Sequence, residues 1–433
     1  MKQVLVVCFD FPPQGGTGAI RVTKFVKYLP QFGWHPVVVC SDTDWNPDES
    51  LSSDIPASVL VYRVGWPKWL RAMHLVPSSP SNGSRTMRGN LSSKSFLQRS
   101  VVRKARKLLL PDSGILWVGE AQRTCARVLH DHPCDAVLTT SPPPSVHFVG
   151  HWLHRHLGLP WVADFRDVWT VVPQVLNPLG RLSLSLQRRM ERRMLAGCNR
   201  AVMITEPVKE RILEVFGSHL ADKVVTIING FDPEDFARPI PAIDRDLFTI
   251  THVGTILGPR TDNAFPEGLR LALEQNEFFR KSALVRFVGQ VAPEYKARLS
   301  ELEGHVEVQG FVRHDIAIDL MLRSSLLLVI LPCTGESPMA YTNKFFEYLA
   351  ARRPVLALVP PGLISEIVLH EKIGWVAPPD DPAAIAETLL TLFEEIRTGA
   401  QRYSVSDERL SGFDRRQLTA ELAEVLLGAT AGK

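Results

Sequence analysis

Lys344 and Glu347 stand one helical turn apart in Tyr341-Thr342-Asn343-Lys344-Phe345-Phe346-Glu347-Tyr348-Leu349-Ala350, a segment that reads as the opening of a helix. A helix N-terminus carries partial positive charge, and a lysine beside it adds a point charge, so the pair suits a diphosphate. Glu347 would then meet a ribose diol. The alternative for Lys and Glu at i, i+3 is a surface ion pair worth only about 0.2–0.5 kcal/mol. A second phosphate candidate lies upstream, where strand residues His252-Val253 run into Gly254-Thr255 and then Arg260. A third is Phe11-Pro12-Pro13-Gln14-Gly15-Gly16-Thr17-Gly18, between a first strand and a helix starting near Ala19. Gly15 and Gly16 let backbone approach a bound molecule, although such a turn serves tight strand-to-helix packing equally well. It is not G-x-G-x-x-G, and no acidic residue clearly closes the second strand, which argues against a dehydrogenase.

Polar groups at strand ends form a second set. Ser141 ends Ala136–Thr139 and Asp164 ends Trp161–Ala163, where ligands bind in open α/β sheets. Asp164 would orient an acceptor or a sugar hydroxyl, or else cap a helix or pair with Arg166. His147, His151 and His154 share one helix face, with His156 nearby. Successive turns spread three such ligands over about 10 Å, too far for one ion, and no carboxylate accompanies them. Asp42-Thr43-Asp44 is formally D-x-D, but turn chemistry accounts for it. No metal is expected.

These residues need rigid elements beneath them. Val4–Phe9, Val37–Cys40, Ala136–Thr139, Trp161–Ala163, Ala201–Ile204 and Val224–Ile228 read as buried strands. A second series follows: Phe248–Val253, Ala283–Val288, Val306–Val308, Leu326–Leu331 and Val355–Val359. Continuous apolar runs separated by helices imply parallel sheets covered on both faces. Two series imply an α/β chain of two Rossmann-like domains, over about 1–230 and 231–410, with a C-terminal helix over 411–433 that could pack back on the first. A Ser-, Asn-, Gly- and Arg-rich stretch over about 78–100 reads as a mobile insertion.

Composition excludes several classes. The 433 residues are 45% hydrophobic and 22% charged, as in globular proteins rather than disordered ones. Six cysteines form no C-x-x-C, which argues against a disulfide scaffold or zinc ribbon. The longest apolar run, Leu326–Leu331, is far below the roughly 18–20 residues that span a bilayer. The N-terminus reads as a buried strand of a cytoplasmic protein, because Asp10 and Pro12-Pro13 interrupt any signal-like stretch. Net charge is +3, yet residues 1–200 hold 25 Lys and Arg against 13 Asp and Glu, and the remainder is acidic. Arg181–Met194 carries Arg188, Arg189, Arg192 and Arg193, and Leu97–Leu110 is similarly basic. Basic helices of this kind either lie on anionic inner-leaflet lipid or simply face water. They lack the aromatic interleaving of a nucleic-acid surface.

Taken in order, several segments resemble the family-4 retaining glycosyltransferases of GT-B architecture, in the bacterial branch that works on cell-surface polysaccharides. They are Phe11-Pro12-Pro13 with Gly15-Gly16 and Arg21, Thr140–Ser145, Asp164–Trp169, Ile228–Asp232, His252–Thr255 and Lys344–Ala350. The resemblance implies parallel sheets facing across a cleft, with a nucleotide-diphosphate sugar (a UDP-sugar) held by the C-terminal domain. The N-terminal domain would hold a lipid-linked or other glycan acceptor. Arg260 and Lys344 match the family's diphosphate-binding positions. Glu347 matches the second glutamate of E-x7-E, and Gly15 and Gly16 match the loop over the donor phosphates. His147 would face the cleft, since a histidine near there often matters in the family. The first glutamate is replaced by Met339, and the nearest acid is Glu336. That departure keeps two other readings open: an epimerase-like enzyme of the same architecture, and a catalytically silent sugar- or partner-binding module.

Overall fold

A computed structural model describes residues 1–43, 49–67, 109–171, 180–244, 246–333, 337–339, 341–399 and 405–431, apart from the side chain of Thr17. The expected insertion over 78–100, most of the basic segment 97–110, and Asp44 and Glu336 lie outside the described residues. The chain divides into two units, Met1–Ile228 with Arg416–Lys433, and Asn229–Arg415.

The first unit is built on seven parallel strands: β1 (Lys2–Cys8), β2 (Trp34–Ser41), β3 (Leu60–Val64), β4 (Ala136–Ser141), β5 (Trp161–Phe165), β6 (Arg200–Met203) and β7 (Val224–Thr226). Their spatial order is β3-β2-β1-β4-β5-β6-β7. The order reverses between β1 and β4, which creates a crevice at the strands' carboxyl ends. Helices α1 (Thr17–Tyr28), α2 (Ile115–Asp131), α3 (Val146–Leu157), α4 (Gly180–Gly197) and α5 (Glu206–Phe216) connect them. Val4, Val6, Val38, Leu138 and Val162 are fully withdrawn from solvent, as strands covered on both faces must be. The C-terminal helix completes this core with Leu418, Leu422 and Leu426.

The second unit has six parallel strands: β8 (Phe248–Val253), β9 (Ala283–Val288), β10 (Val306–Gly310), β11 (Leu326–Ile330), β12 (Val355–Leu358) and β13 (Gly374–Ala377), in the order β10-β9-β8-β11-β12-β13. Its helices are α6 (Phe265–Gln275), α7 (Glu277–Ser282), α8 (Pro293–Ser300), α9 (His314–Leu322), α10 (Asn343–Ala350), α11 (Leu363–His370), α12 (Pro382–Thr398) and α13 (Asp407–Ser411). The final helix, α14 (Arg415–Thr430), belongs with the first unit from Arg416 onward.

Here too the order reverses, between β8 and β11. These strands pair only through Leu326↔Ile250 and Leu327↔Thr251. Beyond that point side chains take over the backbone groups. His252 Nδ1 lies 2.9 Å from the Leu328 carbonyl, and Val253 N–H donates to the Tyr348 hydroxyl at 2.7 Å. Every buried backbone group needs a partner, so these two side chains sustain the split at the switch point. Among the described residues, no helix is long and apolar enough to cross a membrane.

Candidate functional site

The candidate residues of the second unit fall into two groups at the carboxyl ends of its strands. The first follows β8. Gly254 adopts φ +155°, which glycine tolerates best. A Cβ there would meet His252 Nε2 at 3.3 Å. Thr255 is exposed, and its carbonyl accepts from Arg260 NH1 at 3.1 Å, which folds the arginine back over the turn. Burial draws the Arg260 pKa down from its ordinary value, but a guanidinium remains charged. Burial and then Arg260's charge lower His252 to about 4, although its bond to Leu328 opposes them, so His252 is neutral at neutral pH.

The second group opens α10. Thr342 caps the helix by accepting from Phe345 N–H at 3.2 Å, which is why the helix begins at Asn343. Lys344 Nζ donates to Glu347 Oε2 at 2.6 Å. The pair is not a surface one: Glu347 is only 6% exposed. His314, at the start of α9, lies 3.1 Å from Asp235 and within the fields of Glu347 and Lys344. Burial lowers the His314 pKa, yet Asp235 and Glu347 outweigh it, and the net shift is upward. Tyr348 ties the two groups together. It follows Glu347 directly, and its hydroxyl holds the end of β8, so α10 is registered against the Gly254–Thr255 turn.

In the first unit Gly16 precedes α1 with φ +103°, and a Cβ there would meet nothing within 4 Å. Gly16 thus leaves the backbone open just before the helix. Ser141 is buried, and its hydroxyl donates weakly to the Asp164 carbonyl at 3.5 Å.

Asp164 and His147 both lie in the interior of the first unit. Asp164 is fully buried, and its partner is Arg21 rather than Arg166. Arg21 Nε and NH2 reach its two oxygens at 3.1 and 2.9 Å, and Thr140 donates at 2.7 Å. Arg166 instead binds Asp167 at 2.6 Å. Both Asp164 oxygens are thus engaged below the surface. His147 is also fully buried, its Nδ1 2.9 Å from Thr139 Oγ1 and its ring 4.2 Å from Phe165. Burial pushes its pKa to about 3, against the pull of Asp164, so it stays neutral and shielded from solvent.

Sequence reasoning missed His314, Asp235 and the anchoring role of Tyr348. Nothing local marks His314 or Asp235, because 79 residues separate them in the chain.

Comparison with known proteins adds an independent line. The family model Glycosyltransferase Family 4 matches residues 18–235, half of the chain, and the model Glycosyl transferases group 1 matches 251–395. No curated protein matches the chain by sequence. Among solved structures, sucrose-phosphate synthase from Thermosynechococcus elongatus aligns over 100% of both chains at 15% identity with a TM-score of 0.64. HepE of Anabaena, solved with UDP-glucose, aligns over 99% of this chain and 100% of its own at 15% identity and 0.62. A mutant of S. aureus TarM, solved with UDP among its ligands, covers 98% and 100% at 11% identity and 0.62. At these identities the likeness is one of fold, and it agrees with two parallel-sheet units of GT-B type. The extent of the family match, together with that fold, shows that the chain belongs to glycosyltransferase family 4.

Proposed function

We propose that the protein transfers a hexosyl-type sugar, with retention, from a nucleoside-diphosphate sugar to a lipid-linked glycan acceptor in cell-surface polysaccharide synthesis. A UDP-sugar is the preferred donor, and no metal takes part. The reading rests most on one observation: a buried Glu347 paired with Lys344 in the first turn of α10, registered by Tyr348 against the turn that carries Arg260. That arrangement offers cations and a helix N-terminus to a diphosphate, and a carboxylate to a ribose diol. The UDP and UDP-glucose in the structures of HepE and TarM are consistent with it.

The reaction asks for charge stabilisation and orientation. Arg260 and Lys344 would take up the charge that builds on the departing diphosphate. In the second unit, Gly254 and Thr255 would let backbone N–H groups approach the phosphates. The acceptor hydroxyl attacks the anomeric carbon on the face from which the diphosphate departs. The departing phosphate oxygen takes the hydroxyl's proton, so no strong base is needed. Ser141, at the end of β4, would help to orient the acceptor.

The basic first unit supports a peripheral site at the inner face of the plasma membrane as part of this reading. Arg188, Arg189, Arg192 and Arg193 on α4 are charged side chains of one helix, and Leu182 and Leu186 beside them are 65% and 39% exposed. Cations interleaved with exposed leucines suit anionic lipid, at about 1 kcal/mol per basic residue near the surface.

Incubation with UDP-glucose, UDP-galactose and UDP-N-acetylglucosamine and a polyprenyl-diphosphate-linked sugar, with and without EDTA, tests the reading. NMR of the product should show the donor's anomeric configuration, with EDTA without effect. Release of UDP and free sugar without acceptor, as fast as with it, would point to an epimerase-like enzyme. Nucleotide binding with no turnover would point to a silent module, an alternative that Met339 in place of a glutamate favours.

A further inference from the structure

Arg166 is 7% exposed, and among the described residues its guanidinium makes one hydrogen bond, to Asp167. Its Nε is buried with no partner among those residues. A buried cation with five N–H donors and one bond is far from satisfied, and such groups carry a large desolvation penalty. Asp10 stands within the field of the same guanidinium without being bonded to it.

The topology explains the meeting. Cys8 of β1 pairs with Thr140 of β4, and Ser141 of β4 pairs with Phe165 of β5, so the three strands end at one level. Asp10 lies two residues beyond β1, and Arg166 is the first residue beyond β5. They therefore leave the sheet on either side of the end of β4, at the unit's switch point, where α/β sheets bind ligands.

Asp10 is fixed in place from two sides. Gln14 Nε2 donates to its Oδ1 at 2.7 Å. Its other oxygen lies over the first turn of α1, where a Cβ on Gly18 would come within 2.5 Å of it. Only a glycine there leaves the carboxylate its seat. Burial raises the Asp10 pKa, and Arg166 and Gln14 pull it back.

We infer that Asp10, Arg166 and Asp167 form a subsite for a neutral saccharide, with the carboxylates accepting from sugar hydroxyls and the guanidinium donating to a sugar oxygen. The three side chains together carry one negative charge, which disfavours an anionic ligand and suits a polyol. The inference rests on the transferase reading only in naming that saccharide as the acceptor's sugar.

The test uses the full-length protein and a panel of octyl glycosides (β-glucoside, β-galactoside, α-mannoside and β-N-acetylglucosaminide), followed by saturation-transfer NMR and calorimetry. UDP is titrated separately. At least one glycoside should bind the wild type, with or without UDP. Asp10→Asn and Arg166→Lys should each weaken it about ten- to a hundredfold, as expected for hydrogen bonds to charged groups, while UDP affinity stays within twofold. Gly18→Ala, which displaces Asp10 without changing its chemistry, should weaken it in the same sense. Octyl phosphate is the control and should not compete. Binding of no glycoside, or equal binding by the wild type and the variants with melting curves unchanged, overturns the inference. So does competition by octyl phosphate. Failure of UDP to bind would sink the donor reading alone, since the glycoside titrations stand without nucleotide.

Discussion

Lys344 Nζ lies 2.6 Å from Glu347 Oε2, and the carboxylate it holds is almost wholly withdrawn from solvent. A buried ion pair contributes little net stability, because desolvation offsets the attraction. Breaking it is another matter. Lys344→Ala should destabilise the second unit by roughly 3 kcal/mol, by analogy with other broken buried pairs. It should also lower kcat by about 10²–10³, the scale for losing one charge-stabilising donor. Lys344→Met with Glu347→Gln should recover much of the stability and none of the activity. Melting curves and transfer assays on both variants check the two parts separately.

Arg21 and Asp164 give a contrasting case. Both are fully buried and doubly bonded to each other, and Arg21 also donates to the Ile227 and Ile228 carbonyls at 2.9 Å each. Removal of either partner strands a charge, so Asp164→Asn or Arg21→Met should lower stability by about 3–5 kcal/mol. Activity per folded molecule should fall far less than in Lys344→Ala. A variant of normal stability with no turnover would return Asp164 to the reacting groups.

These two pairs show what the sequence could and could not disclose. Lys344 and Glu347 lie on one turn of one helix, so their spacing disclosed that they could pair, while a place at a donor site came from the resemblance. Arg21 and Asp164 are 143 residues apart, and only the packing of α1 on the sheet joins them. The same distinction runs through the fold. The central strands were legible because burial on both faces demands unbroken apolar runs, as in Leu326–Ile330. The edge strands β3 and β13 were not. Leu60–Val64 is partly exposed and interrupted by Arg63, and Gly374–Ala377 is a partly exposed run of only four residues that opens on glycine.

Glu191 on α4 predicts a pH effect on stability. It is 1% exposed, Thr170 donates to it, and burial raises its pKa to about 7 against that bond. A carboxyl whose folded pKa is raised favours folding below its unfolded value near 4.5, and loses that contribution as pH climbs through 7. Glu191→Gln removes the titration. Between pH 5 and pH 8 the stability difference should therefore move toward the variant by about 2–3 kcal/mol. Urea unfolding at the two pH values measures this, and a difference independent of pH would contradict it.

His314 carries a second pH test, within the second unit. Despite burial, Asp235 and Glu347 hold its pKa above 6.5, so its protonated form stabilises the fold. That contribution is complete below pH 6.5 and fades as pH rises through the folded value. His314→Gln should flatten the alkaline side of the stability profile of the second unit, read by hydrogen exchange of α9. An unchanged profile would mean that the Asp235 contact carries no charge.

On the proposed reading, residues 229–415 hold a nucleoside diphosphate without metal. Calorimetric titration of the full-length protein with UDP, GDP and dTDP in EDTA tests it most directly, with Lys344→Ala beside the wild type. One nucleotide, UDP first among them, should bind saturably, and EDTA should not alter that binding. In Lys344→Ala that binding should weaken by about tenfold or more, as for loss of a charge-assisted bond. Equal binding by both proteins, or no binding of any nucleotide by the wild type, would contradict it.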